Sequence, residues 1–482
     1  MRSVGPTRRP AQRTASSAPD LIRPHPLGTI AILTIAIAIV LGTMLTSITG
    51  CGETRRPRNA VLIILDTLRP DRLSLYGGER PTSPVMDRLG EQGVVFEQAV
   101  SNATWTLPAL SGLLSGRYLT AEVQNTTLQR SMVEELQAAG WTTAAFTEGG
   151  YFRRDFGMNR GFDVFFERGR NRMLTKKERV TKIPEEEKAT EITRTFSLAR
   201  EWLRNHDKSV PFFLVVHTYE PHIPYLRTTF SEGMDRGGLG EKFVRQSAGL
   251  IQHGKLEVTD ASLEYIRALY DGDILYADRY VGVLLATLEE LSYSGDTLIV
   301  VTSDHGEDLG DREPLAPGSH GHTVHDEVAL VPLFIFDPTT SYEKSRVTAQ
   351  VRTIDTMHTI LDLLGIESMG DRHGRSLVPM MTGQETRDRP ALTRLQSEEG
   401  TQRRDMYALR ANQKKLIVIP PRPGEAEEES ISLYDLTTDP GELDPIGDED
   451  PATEARMLEE LQRLRSELDA QGVPVQIGRA HV

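Results

Sequence analysis

Cysteine is almost absent from this chain of 482 residues, which contains a single one, Cys51. One cysteine cannot form a disulfide within its own chain, so a disulfide framework is excluded. An excess of basic residues is also missing, since 69 acidic side chains outnumber 55 basic ones and give a formal net charge of −14. Nucleic acid is therefore not an expected partner, because its phosphate backbone attracts basic surfaces. Any anionic substrate must be held by local groups.

A long polar low-complexity tract is lacking as well, and no internal repeat of fixed period is apparent. Hydrophobic residues make up 38% of the chain and charged residues 26%, so burial of apolar side chains can offset the loss of chain entropy. These proportions exclude wholesale disorder. The chain is also longer than one small core requires, which predicts a large domain and a smaller C-terminal part.

Charge is absent from residues 27–48, which form an apolar run behind an arginine-rich start. This combination indicates an export signal or a membrane span. The run ends in Ile-Thr-Gly-Cys, which resembles a bacterial lipobox whose cysteine is acylated. We therefore expect residues 1–51 to be a signal and lipoprotein anchor with Cys51 as the lipidation site. The protein would then be a membrane-anchored, extracytoplasmic lipoprotein of the bacterial cell envelope. The alternative is an uncleaved transmembrane helix that ends near Thr49.

Residues 476–482, at the other end, resemble the translation of a sequencing adapter. We expect this segment to be a sequencing artefact and exclude it from the predicted fold. The alternative is a genuine tail of the protein.

Three continuous apolar runs are each followed by polar residues that can bind a metal ion. The runs are residues 59–65 before Asp66, residues 211–216 before His217, and residues 297–302 shortly before Asp304 and His305. Continuous β-branched runs are typical of strands covered on both faces in a parallel sheet. Helical patterns alternate with them at 131–140, 191–205 and 263–291. The alternation predicts an α/β fold with a mostly parallel sheet sandwiched by helices, and a site at the carboxyl ends of the strands.

The C-terminal part of the chain has a different pattern. Strand-like residues 415–419 and 433–436 flank a loop rich in Pro and Glu, which predicts an antiparallel hairpin. Residues 452–470 have helical spacing with interspersed charges and predict an exposed terminal helix. We therefore divide the chain into a catalytic domain at 58–385 and a small antiparallel subdomain with a terminal helix at 386–475.

Asp66, Asp304 and His305 offer two hard oxygen donors and one imidazole, and Thr106 as a fourth ligand would complete one metal site. This set suits one divalent cation, Ca²⁺, Mg²⁺, Mn²⁺ or Zn²⁺, rather than a metal that prefers thiolates. A single Asp after a strand is more often a helix cap, and a single Asp-His pair is more often a turn. Their occurrence together at strand ends favours the metal site.

The chain resembles the sulfatase family of the alkaline phosphatase superfamily over about residues 59–444. The similar segments, in chain order, are NAVLIILDTLRPD at 59–71, TLPALSGLLSGR at 106–117, HTYEPH at 217–222, TSDHGE at 302–307, HGH at 320–322, GRSL at 374–377 and LYDLTTDPGE at 433–442. The resemblance implies an alkaline-phosphatase/sulfatase-like fold and a hydrolase of sulfuric or phosphoric esters. It also implies that Thr106 stands at the nucleophile position and that His222 and His320 are catalytic and bind the substrate. His322 and Arg117 are further candidates for binding the anionic ester substrate.

Four departures from the family pattern bear on the chemistry. Thr106 replaces the Cys or Ser that sulfatases convert to formylglycine, and Leu110 replaces the arginine of the same signature. Thr67 replaces a second consecutive aspartate, and the Gly-Lys-Trp-His block expected near residues 146–148 is missing. Threonine cannot form the aldehyde, so we predict that a metal-bound Thr106 alkoxide attacks phosphate or phosphonate esters, with sulfate esters less favoured. The alternative role for Thr106 is that of a helix N-cap.

Other functions are compatible with the same residues. A second metal ion would require further ligands, for which His217, His222, His320 and Glu220 are candidates. The usual Asp-x-x-x-His spacing is missing there, so we predict one metal. One alternative is a transferase of phospho-headgroups that acts on envelope lipids or glycans. Another is a catalytically silent envelope lipoprotein that only binds its ligand, and the retained metal-type residues argue against it.

Overall fold

The computed structural model describes residues 55–118, 127–167, 191–342, 345–368, 373–396, 404–421 and 428–470. The expected anchor segment with Cys51 and the segment 476–482 lie outside these ranges, so both remain predictions. Among the helices within these ranges, none combines the length and the apolar character needed to cross a bilayer.

Nine strands of the described ranges form a central sheet in the order β4-β3-β5-β1-β6-β7-β2-β8, with β9 paired to β2. They are β1 (Asn59–Leu65), β2 (Val94–Val100), β3 (Thr142–Thr147), β4 (Val164–Phe166), β5 (Phe212–Thr218), β6 (Thr297–Thr302), β7 (Leu330–Phe336), β8 (Arg346–Val347) and β9 (Val351–Arg352). The pairs from β4 to β6 are parallel, whereas β7 runs antiparallel to β6 and β2. The predicted α/β fold with a mostly parallel sheet is confirmed.

The side chains of β1 show why this sheet needs continuous apolar runs. Successive side chains of a strand point to opposite faces. Leu62 and Ile64 belong to a hydrophobic cluster on one face, and Val61 and Ile63 belong to a cluster on the other. Every residue of β1 is buried. A polar residue at any of the four apolar positions from Val61 to Ile64 would lose its hydration on one face or the other.

Helices cover both faces of the central sheet. They are α1 (Pro84–Glu91), α2 (Thr106–Ser115), α3 (Val133–Ala138), α4 (Glu191–Asn205), α5 (Arg245–Gln252), α6 (Asp260–Glu290), α7 (Asp326–Ala329), α8 (Thr356–Leu364), α9 (Val378–Met381) and α10 (Pro451–Ala470). Helices α2 and α8 contribute apolar side chains to the cluster on one face, whereas α1, α4 and α6 contribute to the cluster on the other. The three helical segments predicted between the strands correspond to α3, α4 and α6.

A second, antiparallel sheet follows in the C-terminal part of the chain. Its strands, in spatial and chain order, are β10 (Ala391–Leu395), β11 (Met406–Ala411), β12 (Lys414–Ile419) and β13 (Ser430–Asp435). Strands β12 and β13 fall on the two predicted strand segments. The terminal helix α10 was expected to be exposed, but Met457, Leu461 and Leu468 are buried with apolar residues of the small sheet. Their spacing of four and seven places them on one helix face, which packs on that sheet.

Buried charges join the small sheet to the segment that precedes β7. Lys415 Nζ lies 2.6 Å from Asp326 Oδ1 and 2.8 Å from Glu442 Oε1. Arg410 Nε lies 3.1 Å from Asp326 Oδ2. The side chains of Lys415 and Glu442 are completely buried. Because a buried charge is costly without a partner, this network holds Asp326, at the start of α7, against β12.

Candidate active site

Three neighbouring strands bring polar side chains to one edge of the central sheet. Asp66 directly follows β1, His217 is the penultimate residue of β5, and Asp304 and His305 come just after β6. Strand β1 lies between β5 and β6, and all three run in the same direction. None of the four side chains is more than 1% exposed. The predicted convergence of these residues at the carboxyl ends of the strands is thus observed.

Asp66, Asp304 and His305 form a compact group of potential metal ligands. One ligand atom from each residue lies within 4.8 Å of the others. Asp66 Oδ1 and Asp304 Oδ2 are buried and have no hydrogen-bond partner among the described residues. Burial, together with the charges of Asp304 and Glu307, raises the pKa of the Asp66 carboxyl well above its usual value. Neighbouring buried carboxylates need a shared proton or a cation, so these residues fit a divalent metal ion.

The tautomer of His305 follows from its surroundings. His305 Nδ1 lies 2.8 Å from the carbonyl oxygen of Gly306, which can only accept a hydrogen bond. The Nδ1–H group therefore donates, and Nε2 carries the lone pair that a metal ion requires. A second imidazole, that of His217, lies with Nε2 3.5 Å from Asp66 Oδ2. Burial lowers the pKa of His217 to about 4, so the His217 imidazole is neutral at neutral pH.

The Thr106 hydroxyl lies at the edge of the same group. Its Oγ1 is 3.4 Å from Asp66 Oδ2 and 3.4 Å from His305 Nε2. Thr106 is the first residue of α2, whereas Trp105 is the N-cap and its side chain makes no capping hydrogen bond. The alternative interpretation of Thr106 as the N-cap is therefore wrong. Unpaired N–H groups and the helix dipole favour negative charge at this end of α2, which suits an alkoxide or an anionic substrate.

Each departure from the family pattern has a structural counterpart. Leu110 is completely buried in the hydrophobic cluster between α2 and the sheet, so no guanidinium enters the site from this position. Thr67 has a positive φ of 60°, and its N–H donates to Asp304 Oδ1 at 3.3 Å. Glu148, which follows β3, accepts hydrogen bonds from Thr218 Oγ1 and from the N–H of Tyr219, at 2.7 and 2.9 Å. Burial raises the pKa of Glu148 to about 7.

His222 and His320 lie next to the group of potential metal ligands formed by Asp66, Asp304 and His305. The ring of His320 lies 4.5 Å from that of His305 and 5.0 Å from that of His222, measured between centroids. His222 Nδ1 is 2.7 Å from the carbonyl oxygen of Ile223, so it donates and leaves Nε2 as an acceptor. His320 Nδ1 is 2.8 Å from the buried Glu307 Oε1. Burial lowers the pKa of both imidazoles, that of His222 to about 4.

Two predicted substrate-binding residues are not brought to this site. His322 faces Asp308 Oδ2 with Nε2, at 3.2 Å, and Ser319 Oγ with Nδ1, at 3.4 Å. Neither ring nitrogen is therefore directed to a substrate. Arg117 follows the C-terminal end of α2, about 16 Å along the helix from Thr106 at about 1.5 Å per residue. The roles of His322 and Arg117 in substrate binding therefore stay predictions, with His322 directed to Asp308 and Arg117 at the other end of α2 from Thr106.

A cation that the sequence analysis missed lies beside His222. Arg245 Nη2 is 3.4 Å from His222 Nε2, and the side chain is exposed at the start of α5. No motif marks this residue, because an exposed arginine in a glycine-rich segment carries no signal of its own. Arg69, by contrast, is held in ion pairs with Asp71 and Asp311, at 2.9 and 2.6 Å. Of these two arginines, Arg245 is the one without an ion pair to a carboxylate among the described residues, so it can meet an incoming anion.

Comparison with protein families gives two matches. A family described as Sulfatase matches residues 58–366. A second family, described as N-sulphoglucosamine sulphohydrolase, C-terminal, matches residues 320–469. Together these matches cover the central sheet, the site residues and the small antiparallel sheet.

Individual relatives include enzymes of different substrates. The multifunctional alkaline phosphatase superfamily protein PehA of Trinickia caryophylli is 27% identical over 402 residues, which cover 67% of this chain and 77% of PehA. The N-acetylglucosamine-6-O-sulfatase of Bacteroides thetaiotaomicron is 24% identical, with 87% of each chain covered. The crystal structure of the phosphonate monoester hydrolase of Agrobacterium radiobacter superimposes with a TM-score of 0.64 at 21% identity, covering 86% of this chain and 96% of the hydrolase. That last likeness supports the fold.

Proposed function

The chain belongs to the sulfatase family, and from this premise we propose that it is a metal-dependent hydrolase that uses Thr106 as its nucleophile. Its family and its relatives support an ester hydrolase acting on sulfate or phosphonate esters. Within that range, we propose that esters of phosphate or phosphonate are the preferred substrates. The observation that carries the proposal is the position of Thr106 Oγ1, 3.4 Å from both Asp66 Oδ2 and His305 Nε2.

The residues of the chain account for each step of such a reaction. A divalent cation held by Asp66, Asp304 and His305 would lower the pKa of the Thr106 hydroxyl, which is a common role for such ions. Thr106 Oγ1 then forms a bond to phosphorus, and the bond from phosphorus to the leaving oxygen breaks. Water later cleaves the threonine ester and regenerates the hydroxyl. The N-terminus of α2 favours the negative charge that Thr106 and the substrate bring.

His222 and His320 are suited to protonate the leaving oxygen. A pKa lowered to about 4 makes the protonated form of His222 a stronger acid than an ordinary imidazolium. Only a small fraction carries the proton at neutral pH, so the contribution of general acid catalysis grows as the pH falls. The hydrogen bonds to the Ile223 carbonyl and to Glu307 fix the two ring orientations.

The choice of phosphorus over sulfur rests on Thr106 and Leu110. A threonine side chain cannot be converted to the formylglycine aldehyde, which removes the route that sulfatases use. Leu110 lies in the hydrophobic core, so it cannot replace the arginine of that route. Direct attack by a threonine alkoxide on phosphorus needs neither group. Arg245, beside His222, supplies positive charge for the anionic ester.

A panel of aryl esters tests the proposed function. The full-length protein, loaded with Mn²⁺ or Zn²⁺, is assayed with 4-nitrophenyl phosphate, bis(4-nitrophenyl) phosphate, 4-nitrophenyl phenylphosphonate and 4-nitrophenyl sulfate. We expect at least one phosphorus ester to give a higher kcat/KM than the sulfate, and activity to disappear after chelation and return with metal. If the sulfate ester is cleaved faster than every phosphorus ester, the proposed preference for phosphorus esters is wrong and the protein acts as a sulfatase. Activity that survives complete metal removal would contradict the metal dependence.

A further inference from the structure

The His217 imidazole is buried at the metal-type group without a partner for one of its nitrogens. The side chain is completely buried, and Nε2 forms no hydrogen bond with any described residue. Nε2 lies 3.5 Å from Asp66 Oδ2, which is itself beside Thr106 Oγ1. A buried polar atom without a partner costs about 1–3 kcal/mol, so such an atom in a native site points to a missing ligand.

The position and orientation of His217 are fixed by the fold. Strand β5 pairs in parallel with β1, and His217 pairs with Ile64, two residues before Asp66. The rings of Phe152 and Tyr219 contact the His217 ring edge to face, with centroids 5.2 and 4.8 Å away. These contacts restrict the rotation of the imidazole, so the direction of Nε2 toward Asp66 is set by packing.

The other ring nitrogen allows a tautomer that leaves Nε2 free to bind a cation. Thr147 Oγ1 lies 3.3 Å from His217 Nδ1 and accepts a hydrogen bond from the N–H of Gly149 at 3.2 Å. If Nδ1–H donates to Thr147, Nε2 carries a lone pair that faces the Asp66 carboxylate. A lone pair and an anion repel each other unless a cation lies within reach of both. The same tautomer is found at His305, whose Nδ1 donates to a carbonyl oxygen.

We propose that His217 Nε2 is an additional protein ligand of the divalent cation, next to Asp66, Asp304 and His305. The inference rests on the metal dependence proposed above. It adds a second imidazole to the site and thereby narrows the class of metal. Ca²⁺ and Mg²⁺ prefer oxygen donors, whereas Zn²⁺ and Mn²⁺ accept imidazole readily. A site with two imidazoles and two carboxylates therefore favours Zn²⁺ or Mn²⁺ over Ca²⁺ or Mg²⁺.

Pulsed electron paramagnetic resonance on the Cu²⁺-loaded full-length protein counts the coordinated imidazoles. We expect two imidazoles in the wild-type protein and one in both His217→Ala and His217→Gln. Chelator competition should show that the same substitutions weaken Zn²⁺ binding by at least about tenfold, since even the loss of a partner outside the ligand shell has an effect of that size. His253→Ala is the matched control, because His253 is an exposed histidine whose Nδ1 lies 2.6 Å from the Gly249 carbonyl. It should leave both readouts unchanged.

The outcomes separate this inference from the proposed function. An unchanged imidazole count in His217→Gln would overturn the inference, since His217 would then act only as a hydrogen-bond donor to Asp66. A wild-type protein that binds no stoichiometric Zn²⁺, Mn²⁺ or Cu²⁺ would instead overturn the metal dependence itself. If His217→Ala does not fold, the count in His217→Gln decides, because glutamine keeps a side chain of similar length and polarity.

Discussion

The hydroxyl of Thr106 is the most specific residue-level feature of the site. It stands on the first turn of α2, where only the side chain of residue 106 reaches the group formed by Asp66 and His305. Replacement by alanine removes the attacking oxygen, whereas serine retains it without the methyl group. We expect Thr106→Ala to lower kcat/KM by about 10³-fold or more and Thr106→Ser to keep a measurable part of the activity.

Steady-state kinetics with the best phosphorus ester measure this difference. Ser111→Ala, on the same helix and equally buried, is the control for general damage to α2 and should retain most of the activity. Intact-mass analysis after reaction with a slow substrate should place the covalent adduct on the peptide that contains Thr106. Full activity in Thr106→Ala, or an adduct on another peptide, would contradict the nucleophile assignment.

Arg245 is expected to act through its charge. Its guanidinium lies beside His222 at the exposed edge of the site, so it meets the anionic ester before the substrate reaches Thr106. Arg245→Gln should raise KM by about tenfold with a smaller change in kcat, and Arg245→Lys should recover part of the loss. Raising the ionic strength should weaken the effect. Lys242→Gln, in the same exposed segment, is the control, and an equal KM in the Arg245→Gln and wild-type enzymes would exclude this role.

The buried carboxyl of Glu148 should make the unfolding free energy of the protein depend on pH. Burial raises its pKa to about 7 in the folded protein from an ordinary value of 4.5. The folded state therefore binds this proton more tightly than the unfolded state, and the resulting stabilisation is lost as the pH rises from about 4.5 through 7. Relative to Glu148→Gln, which cannot ionise, the wild-type protein should lose about 2 kcal/mol of unfolding free energy between pH 5 and 8. Urea unfolding at several pH values measures this, and parallel curves for the two proteins would contradict it.

At the scale of elements, the strands of the central sheet could be predicted because a buried strand is a continuous run of apolar residues in the sequence. A strand covered on both faces must be apolar throughout, and the polar residue that ends such a run stands at the edge of the sheet. Asp66, His217 and the Asp304-His305 pair were found in this way. Helix α5 leaves no such trace, because it is short and partly exposed, and Arg245 was missed with it.

The small sheet depends on the buried pairing of Lys415. This side chain contacts Asp326 and Glu442, and its removal would leave Arg410 as the partner of Asp326 and take the nearest cation from the buried Glu442. We expect Lys415→Ala to lower the unfolding free energy by about 3–5 kcal/mol. Its neighbour Lys414 pairs with Asp435 where both side chains stay partly exposed, so Lys414→Ala should destabilise the protein much less than Lys415→Ala.

Denaturant unfolding of the two lysine variants compares a buried pair with an exposed one in adjacent positions of β12. Similar destabilisation by both substitutions would mean that the ion network does not hold the small sheet in place. A selective loss in Lys415→Ala that also lowers kcat would indicate that the network positions the segment of His320, which lies six residues before Asp326.

At the scale of the whole molecule, the sequence predicted a mostly parallel sheet between helices and a C-terminal antiparallel subdomain. It did not predict every contact between side chains that lie far apart in the chain. The positions of His322 and Arg117 were inferred from motifs, and motifs carry no information about the direction of a side chain. His322 turned to Asp308, and Arg117 was placed at the far end of α2 because a helix of ten residues separates it from Thr106. Only the folded chain decides such directions.

The attachment of the whole protein to a membrane remains a prediction. We propose that Cys51 carries a lipid, because it is the single cysteine and follows an uncharged apolar run. Metabolic labelling with a fatty-acid analogue should mark the wild-type protein, and Cys51→Ala should abolish the label and leave an uncleaved precursor. Equal label in the variant would favour a transmembrane anchor or another acceptor.

The spread of the site residues along the chain has a consequence for biogenesis. Asp66, Thr106, His217, Asp304 and His320 span about 250 residues, and they meet only where β1, β5 and β6 lie side by side. Contacts this distant in sequence form late, after most of the chain has collapsed. A ribosome-bound chain that still lacks β6 cannot assemble the centre. Hydrolytic activity should therefore appear abruptly, after the last of these residues has been synthesised. Until then the nascent enzyme should not cleave the esters that it encounters.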